Sequence, residues 1–237
     1  MPAYNAEKTI DKSIESILKQ TDQDFEIIVV DDASLDNTRN IVNKYIDSRI
    51  KLIVNERNLG VAESRNRAIV NANGKYIAFL DSDDVWDSKK LETQRKLFEK
   101  GHLVLCSAYK KMDALGNVND KKIFHKKIIT YSDMLKSNFI GNLTGAYNCD
   151  SLGKFFQKKM GHEDYIMWLE IIKVAKYAYC SPECLAYYRV ISKSLSSNKI
   201  KAMMWQFSIY RKVLKMNFIT SFFYFFFYTF HAIRKRA

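Results

Sequence analysis

A chain of 237 residues, 47% hydrophobic and 27% charged, can bury one good core and is short for two, so one main domain followed by a tail is expected. A net charge of +12 calls for an anionic partner, yet the Lys and Arg residues are spread along the chain rather than gathered in a recognition element, which argues against nucleic acid. Four cysteines (Cys106, Cys149, Cys180, Cys184) without an apolar leader suggest neither a disulfide framework nor an oxidising compartment. Cys180 and Cys184 have no second Cys or His pair at zinc-site spacing.

In chain order, Ile10, Ile14, Ile17 and Leu18 recur at helical spacing, and Phe25 to Val30 reads as a buried strand. Asp36 can cap a helix carrying Ile41, Val42 and Tyr45, after which Ile50 to Val54 is extended. A helix near Ala62 to Asn71 precedes Gly74 and the strand Tyr76 to Leu80. Lys89 to Lys100 is helical, and Leu103 to Met112 is extended with a turn at Gly116-Asn117. Helices follow near Tyr131 to Ser137 and Glu163 to Ala175, with extended stretches near Gly145 to Asn148 and Leu185 to Val190. Alternating strands and helices predict an α/β domain with a mainly parallel sheet whose ligands sit beyond the carboxyl ends of the strands.

The acidic residues stand at those ends. Asp31 and Asp32 follow one strand, and Asp81, Asp83 and Asp84 follow another. Read as extended backbone, Asp81 and Asp83 face one cation while Ser82 points away. Such oxygen ligands suit Mg²⁺ or Mn²⁺, which keep positions open for substrate phosphates. Acids clustered at one edge also suit a Mg²⁺-dependent nucleotide-binding or phosphotransfer module. No Gly-x-Gly-x-x-Gly follows any predicted strand, which excludes a dinucleotide dehydrogenase.

Five motifs stand in order: Met-Pro-Ala-Tyr-Asn at 1 to 5, Val-Val-Asp-Asp-Ala-Ser-Leu-Asp-Asn-Thr at 29 to 38, Asn-Leu-Gly-Val-Ala-Glu-Ser-Arg-Asn at 58 to 66, Gly-Lys-Tyr-Ile-Ala-Phe-Leu-Asp-Ser-Asp-Asp at 74 to 84, and Gly-His-Glu-Asp-Tyr at 161 to 165. Over roughly residues 1 to 190 the chain resembles family 2 glycosyltransferases of the GT-A fold. The resemblance implies an inverting transfer from a nucleotide diphosphate sugar, usually UDP-linked, to a hydroxyl of a glycan or lipid-linked saccharide, as in cell-surface polysaccharide synthesis. The catalytic domain is accordingly expected over 1–200, and the chain's own aromatic and basic residues lead to a helical, membrane-associating tail over 201–237. The resemblance places Pro2, Tyr4 and Asn5 in the nucleotide pocket, Asp32 on the uracil or ribose, Asn58 and Arg65 on the nucleotide or phosphates, and Asp81 and Ser82 on the donor side. Asp83, with Asp81, would ligate the Mn²⁺ or Mg²⁺ bridging the two phosphates, and Asp164 would be the general base. Read by itself, Glu163-Asp164 is also the ordinary acidic first turn of a helix. The family pattern has a hydrophobic strand before Pro-Ala-Tyr-Asn, so the natural protein is expected to begin several residues upstream with an apolar, β-branched segment.

From Phe218 to Ile233 nearly every residue is apolar or aromatic, with Arg211, Lys212 and Lys215 before and Arg234, Lys235 and Arg236 after. Sixteen residues make a helix of about 24 Å, short of the roughly 30 Å hydrocarbon core. An anchor lying on an anionic membrane surface is expected, putting the protein in the cytoplasm at the inner face of the cell membrane. The bland alternative is a helix docked on the domain or forming a homodimer seam. The oligomeric state is open. His102, His125, His162 and His231 read as surface or packing residues. Asn142-Leu143-Thr144 has the form of a glycosylation acceptor, and Asn138 to Asn142 resembles a segment lining the acceptor side.

Overall fold

A computed structural model describes residues 1–190 and 199–234, with side chains described to 190 and from 202 to 230. Lys235 and Arg236, and the side chains of His231 and Arg234, lie outside the described residues. The elements are β1 (Pro2–Ala3), α1 (Ile10–Leu18), β2 (Ile27–Asp31), α2 (Thr38–Asn43), β3 (Ile50–Val54), α3 (Val61–Asn71), β4 (Tyr76–Ala78), β5 (Val85–Trp86), α4 (Lys90–Glu99), β6 (Val104–Met112), β7 (Val118–Ile123) and β8 (Ile128–Thr130). Then follow α5 (Tyr131–Lys136), a 3-10 turn (Asn142–Thr144), β9 (Ala146–Asn148), α6 (Cys149–Leu152), α7 (Glu163–Ala175), β10 (Tyr177–Arg189), α8 (Lys199–Ser208), a π-helical turn (Ile209–Val213) and α9 (Phe218–Arg234).

The strands form two sheets. β1, β2 and β3 pair in parallel, and β2 is buried along its whole length, which is why its sequence is a continuous apolar run rather than an alternating one. The second sheet runs β4-β9-β6-β10-β5, with β7 on β6 and β8 on β10. Parallel pairing holds between β6 and β10, while β9, β5, β7 and β8 pair antiparallel with their neighbours. β7 follows β6 through the short turn at Gly116, which leaves no room for a helical crossover, and so pairs with it antiparallel.

α7 crosses this second sheet and is buried on nearly all sides, from Tyr165 to Leu169 and at Ile171 and Ile172. Its Trp168 meets Phe79 and Tyr147 edge-on and lies against Gly145, where a Cβ would fall 2.2 Å from the indole ring. Lys90 is fully buried: its ammonium donates to Gln94 Oε1 (2.8 Å) and the Thr144 carbonyl (3.2 Å) over the Trp86 ring, and burial lowers its pKa to about 7. Gln94 Nε2 and Trp86 Nε1 donate to the carbonyls of Thr144 and Leu143, so three side chains fix the 3-10 turn. Asn142, Leu143 and Thr144 are buried there as structural residues.

The C-terminal segment is not detached from the domain. Ile209 is completely buried in the same core as α7, and Tyr210, also fully buried, donates its hydroxyl to the Leu135 carbonyl at 2.7 Å. Val213, Leu214, Met216 and Tyr224 pack partly buried against that core.

Between the two sheets lies a cavity of about 790 Å³, bounded by Ile27 and Ile28 of β2, by Tyr76, Ile77 and Ala78 of β4, and by Met1. The Met1 ammonium donates to the Ile28 carbonyl at 2.8 Å, and the amides of Val30 and Asp32 donate to the carbonyls of Met1 and Ala3. β1 thus sits in parallel register on β2, and continuing it backwards would run through the cavity. Burial lowers the Met1 amine to about 5 from an ordinary 8.0. Stability carried by this group is complete above pH 8, where the unfolded amine is also neutral, and is lost as pH falls towards 5. Adding about six apolar, β-branched residues ahead of Met1, the length of an ordinary strand, should convert the ammonium to a peptide N–H and join the sheets. Thermal denaturation should then show a midpoint raised by about 5 °C or more and a loss of this pH dependence. An unchanged midpoint and pH profile would mean that the cavity does not take a strand.

Candidate functional site

The carboxyl ends of β1 and β2 are stitched together by side chains. Asn5, at a left-handed φ of 49°, accepts the Leu35 amide on its Oδ1 (2.9 Å), and its own amide donates to Ser34 Oγ (3.0 Å). Asp31 is fully buried and accepts from Arg39 Nε at 2.5 Å and the Ser34 amide at 3.2 Å. Asp36 accepts the amides of Thr38 and Glu7 and so ties the start of α2 to the loop after β1, but the N-cap of α2 is Asn37 and not Asp36 as the sequence suggests.

Asp32 is used differently from the expectation of a direct uracil or ribose contact. It is 4% exposed, its Oδ1 accepting from Asn55 Nδ2 (2.6 Å) and the Leu59 amide (2.8 Å) and its Oδ2 from the Gly60 amide (2.8 Å). Burial alone would raise its pKa, but these bonds outweigh it and hold the group below the usual carboxylate range. The carboxylate holds the loop from Asn55 to Gly60. Tyr4 (47% exposed) and Asn58 stand open at the rim, with Pro2 half-buried behind them.

After β4 the chain leaves extended geometry. The Asp84 amide donates to the Asp81 carbonyl at 3.2 Å, closing a turn through Ser82 and Asp83. The expectation that Asp81 and Asp83 share a direction because they are two apart on a strand is therefore corrected: a turn has no period of two. Asp81 instead receives both its oxygens' bonds from Arg65 Nη2, at 2.7 and 2.8 Å. Asp84 is buried and accepts the Arg189 amide, while Arg189 Nε donates to the Asp83 carbonyl. Asp83 remains half-buried.

Arg65 joins this turn to the second acidic motif. The guanidinium is 94% buried; Nη1 donates to Gln157 Oε1 (3.1 Å) and stands 3.6 Å from Glu163. Burial would lower its pKa, but Asp81 foremost, then Asp164 and Glu163, offset this and hold it above the ordinary arginine value. Arg65, expected on the nucleotide or phosphates, thus serves the acids as their counter-charge. Glu163 and Asp164 form the first turn of α7, both half-buried. Burial, then the charge of Asp164, pushes the Glu163 carboxyl up, with Arg65 opposing.

Three contributors escaped the sequence reading. Gln157 locks the stretch before α7 to α3: its amide donates to Asn66 Oδ1 (2.7 Å) and its carbonyl accepts from Asn66 Nδ2 (2.8 Å). Tyr109 and Tyr188, from β6 and β10, lie close enough to Asp84 for its charge to add to burial in raising their pKa values, Tyr188 to about 12. No local motif marks them, since their place follows from strand register.

The acids fit a divalent cation. Burial first, then the neighbouring carboxylates, raise Asp83, and raise Asp84 well above the usual range, as expected where negative charges converge without enough positive charge among them. Among the described residues no group of three or more His, Cys, Asp or Glu forms a metal cage. A hard cation held through one or two carboxylates and completed by substrate phosphates suits such a set; a closed zinc site does not. Cys180 and Cys184 are free thiols in β10.

The sequence pattern of Glycosyl transferase family 2 matches residues 1–156. The chain is 37% identical to the putative teichuronic acid biosynthesis glycosyltransferase TuaG of Bacillus subtilis (strain 168), over 99% of this chain and 95% of that one. It is 40% identical to the Escherichia coli protein named UDP-Glc:alpha-D-GlcNAc-diphosphoundecaprenol beta-1,3-glucosyltransferase WfgD, over 88% and 83%. Among solved structures it resembles S. aureus TarS in complex with UDP (TM-score 0.68, 23% identity, 89% of this chain and 64% of that one). It also resembles the mannosyltransferase PcManGT of Pyrobaculum calidifontis in complex with GDP-Man and Mn²⁺ (TM-score 0.67, 19% identity, 91% and 63%). The chain spans slightly under two thirds of each of these two structures, and at this identity they speak to fold alone. With its family pattern over two thirds of its length and relatives matched nearly end to end, the chain belongs to the family 2 glycosyltransferases and has their GT-A-like fold.

Proposed function

We propose that this glycosyltransferase moves a sugar from a UDP-sugar to a hydroxyl of a lipid-linked saccharide, with inversion, in the assembly of a cell-surface polysaccharide. The observation that carries the reading is Arg65. One buried guanidinium bonds Asp81 at the donor-side turn and faces Glu163 and Asp164 on α7, so two acidic motifs some eighty residues apart in sequence share one cleft. The names of the B. subtilis and E. coli relatives support the class of acceptor, and the UDP bound in S. aureus TarS supports the donor. The phosphotransfer alternative finds no support, and it would leave the acidic turn of α7 without a task.

In this reading Tyr4, Asn5, Asn58 and the loop held by Asp32 receive the nucleoside, and Asp81 and Ser82 flank the ribose and sugar. Asp83 is the chief protein ligand of a Mn²⁺ or Mg²⁺, with Asp81 beside it. When bound, that ion neutralises charge on the departing diphosphate. Asp164 accepts the proton of the acceptor hydroxyl as its oxygen bonds to the anomeric carbon from the face opposite the diphosphate. One bond forms as the other breaks, which inverts the centre.

α9 presents Phe218, Ile219, Phe222, Phe223, Phe226 and Phe230, all more than half exposed, along one side. Its opposite side, through Ser221 and Tyr224, faces the domain, and Lys136 of α5 lies over Phe227. Among the described residues no helix is long and apolar enough to cross a membrane. An aromatic side flanked by Arg211, Lys212 and Lys215, all exposed, suits the headgroup layer of an anionic membrane, at the inner face of the cell membrane where a lipid-linked acceptor would be met.

Screening nucleotide sugars for Mn²⁺-dependent release of nucleotide tests the donor assignment. Asp83→Ala should abolish turnover together with the metal dependence of UDP binding; UDP affinity that responds to Mn²⁺ as before would remove Asp83 from the metal site. Asp164→Asn should keep UDP affinity while transfer falls by about a hundredfold or more. Normal transfer by that variant would move the base to Glu163. Phe222→Ser with Phe226→Ser should weaken sedimentation with phosphatidylglycerol vesicles by about tenfold and leave transfer to a soluble acceptor mimic unchanged. Undiminished vesicle binding would assign that side of α9 to a protein contact.

A further inference from the structure

The turn that launches α7 is held from outside by α8. Gly161 and His162 precede Glu163, and His162, the N-cap, has left-handed backbone (φ 61°, ψ 42°). A Cβ placed on Gly161 would lie 1.9 Å from Cδ2 of Trp205 and 2.4 Å from Cε2 and Cε3. Gly161 is outside the left-handed region, so its backbone would accept an alanine. What forbids a side chain there is the indole ring. The His162 ring meets Trp205 edge-on, with centroids 5.7 Å apart, and its Nε2 lies 3.2 Å from the Ala202 carbonyl. One residue further along α8, the buried Gln206 lies beside Tyr165 and Tyr210, whose hydroxyls donate to the Met134 and Leu135 carbonyls. Three positions of α8 thus grip the first turn of α7 on one side, while Arg65 faces it on the other.

We propose that Trp205 is a positioning residue for the transfer step: stacked on Gly161, it sets the angle at which α7 leaves its N-cap and therefore where Asp164 points. The proposal rests on Asp164 being the base. A left-handed residue at the cap is strained unless its neighbours over-determine it, and the Trp205 ring with the Ala202 carbonyl supplies that constraint. A helix start tilted by a fraction of its width would move the carboxylate by an ångström or more, which is enough to cost much of a positioned base's effect. The donor turn, fixed by Arg65, Arg189 and the turn bond between Asp84 and Asp81, makes no contact with α8 in the interactions above, so nucleotide binding should be spared.

The test uses the full chain, with steady-state transfer kinetics, UDP affinity in Mn²⁺ and thermal midpoint measured on each variant. Trp205→Ala should lower kcat by about tenfold or more with UDP affinity within about twofold of the parent. Trp205→Phe, which keeps a flat ring, should recover most of the loss. Gly161→Ala should lower kcat in the same way, and Gly161→Ala combined with Trp205→Ala should be no worse than either alone, because both act on one contact. Full kcat in Trp205→Ala, UDP affinity lost in step with kcat, or losses that simply add in the double variant would each overturn the proposal. Asp164→Asn in the same assay separates the two ideas. An inactive Asp164→Asn beside a normal Trp205→Ala removes the clamp and leaves the base, whereas a normal Asp164→Asn removes the base and with it the stated purpose of the clamp.

Discussion

The arrangement depends on one buried cation. Arg65 bonds Asp81, Gln157 and, at longer range, Glu163, and with only 6% of its surface exposed it has little water to fall back on. Ion pairs of this kind are not strong sources of net stability, since desolvation offsets most of the attraction, but removing one partner strands the other and typically costs about 3–5 kcal/mol. Its value here is geometric. Five carboxylates (Asp81, Asp83, Asp84, Glu163, Asp164) crowd a small region, and the Arg65 guanidinium links the two acidic segments while Asp83 stays half-buried. Nε of Arg65 and Nε2 of Gln157 are buried donors with no hydrogen-bond partner in the protein.

The rest of the cleft is assembled by the same economy, with carboxylates organising loops rather than facing solvent. Asp31 takes Arg39 and Ser34, Asp32 takes the loop from Asn55 to Gly60, and Asp36 takes the starts of two segments. Backbone amides at the ends of β1, β2 and β3 are satisfied by side chains of neighbouring loops, so the rim that would receive a nucleoside is stiff without being apolar. Short polar side chains suit this task because they bond their own and adjacent backbone in turns.

The aromatic C-terminal segment is at once a surface and a structural part. Its π-helical turn buries Ile209 in the core that holds α7 and buries Tyr210 as well, while α9 turns a row of phenylalanines outward. The boundary expected near residue 200 separates sequence styles, but the packing crosses it.

Much of this was legible in the sequence because local chemistry carried it. The span of β3 at Ile50–Val54 and that of α7 at Glu163–Ala175 follow from apolar period and an acidic first turn, and the ordered motifs identify the family. What the sequence could not settle were directions and partners. Asp81, Ser82 and Asp83 read as strand but close a turn, which Asp and Ser favour and which the Asp84 amide's bond to the Asp81 carbonyl holds. Arg65 reads as a phosphate ligand but is spent on Asp81, and Asp32 is turned inward, since both outcomes depend on which side chains other elements bring within 3 Å. Gln157, Tyr109, Tyr188 and Trp205 carry no motif at all. Their roles come from α3 meeting the chain before α7, from the register of β6 on β10, and from α8 folding back over Gly161. Those are long-range contacts, which composition and periodicity do not encode and which only the packed chain decides.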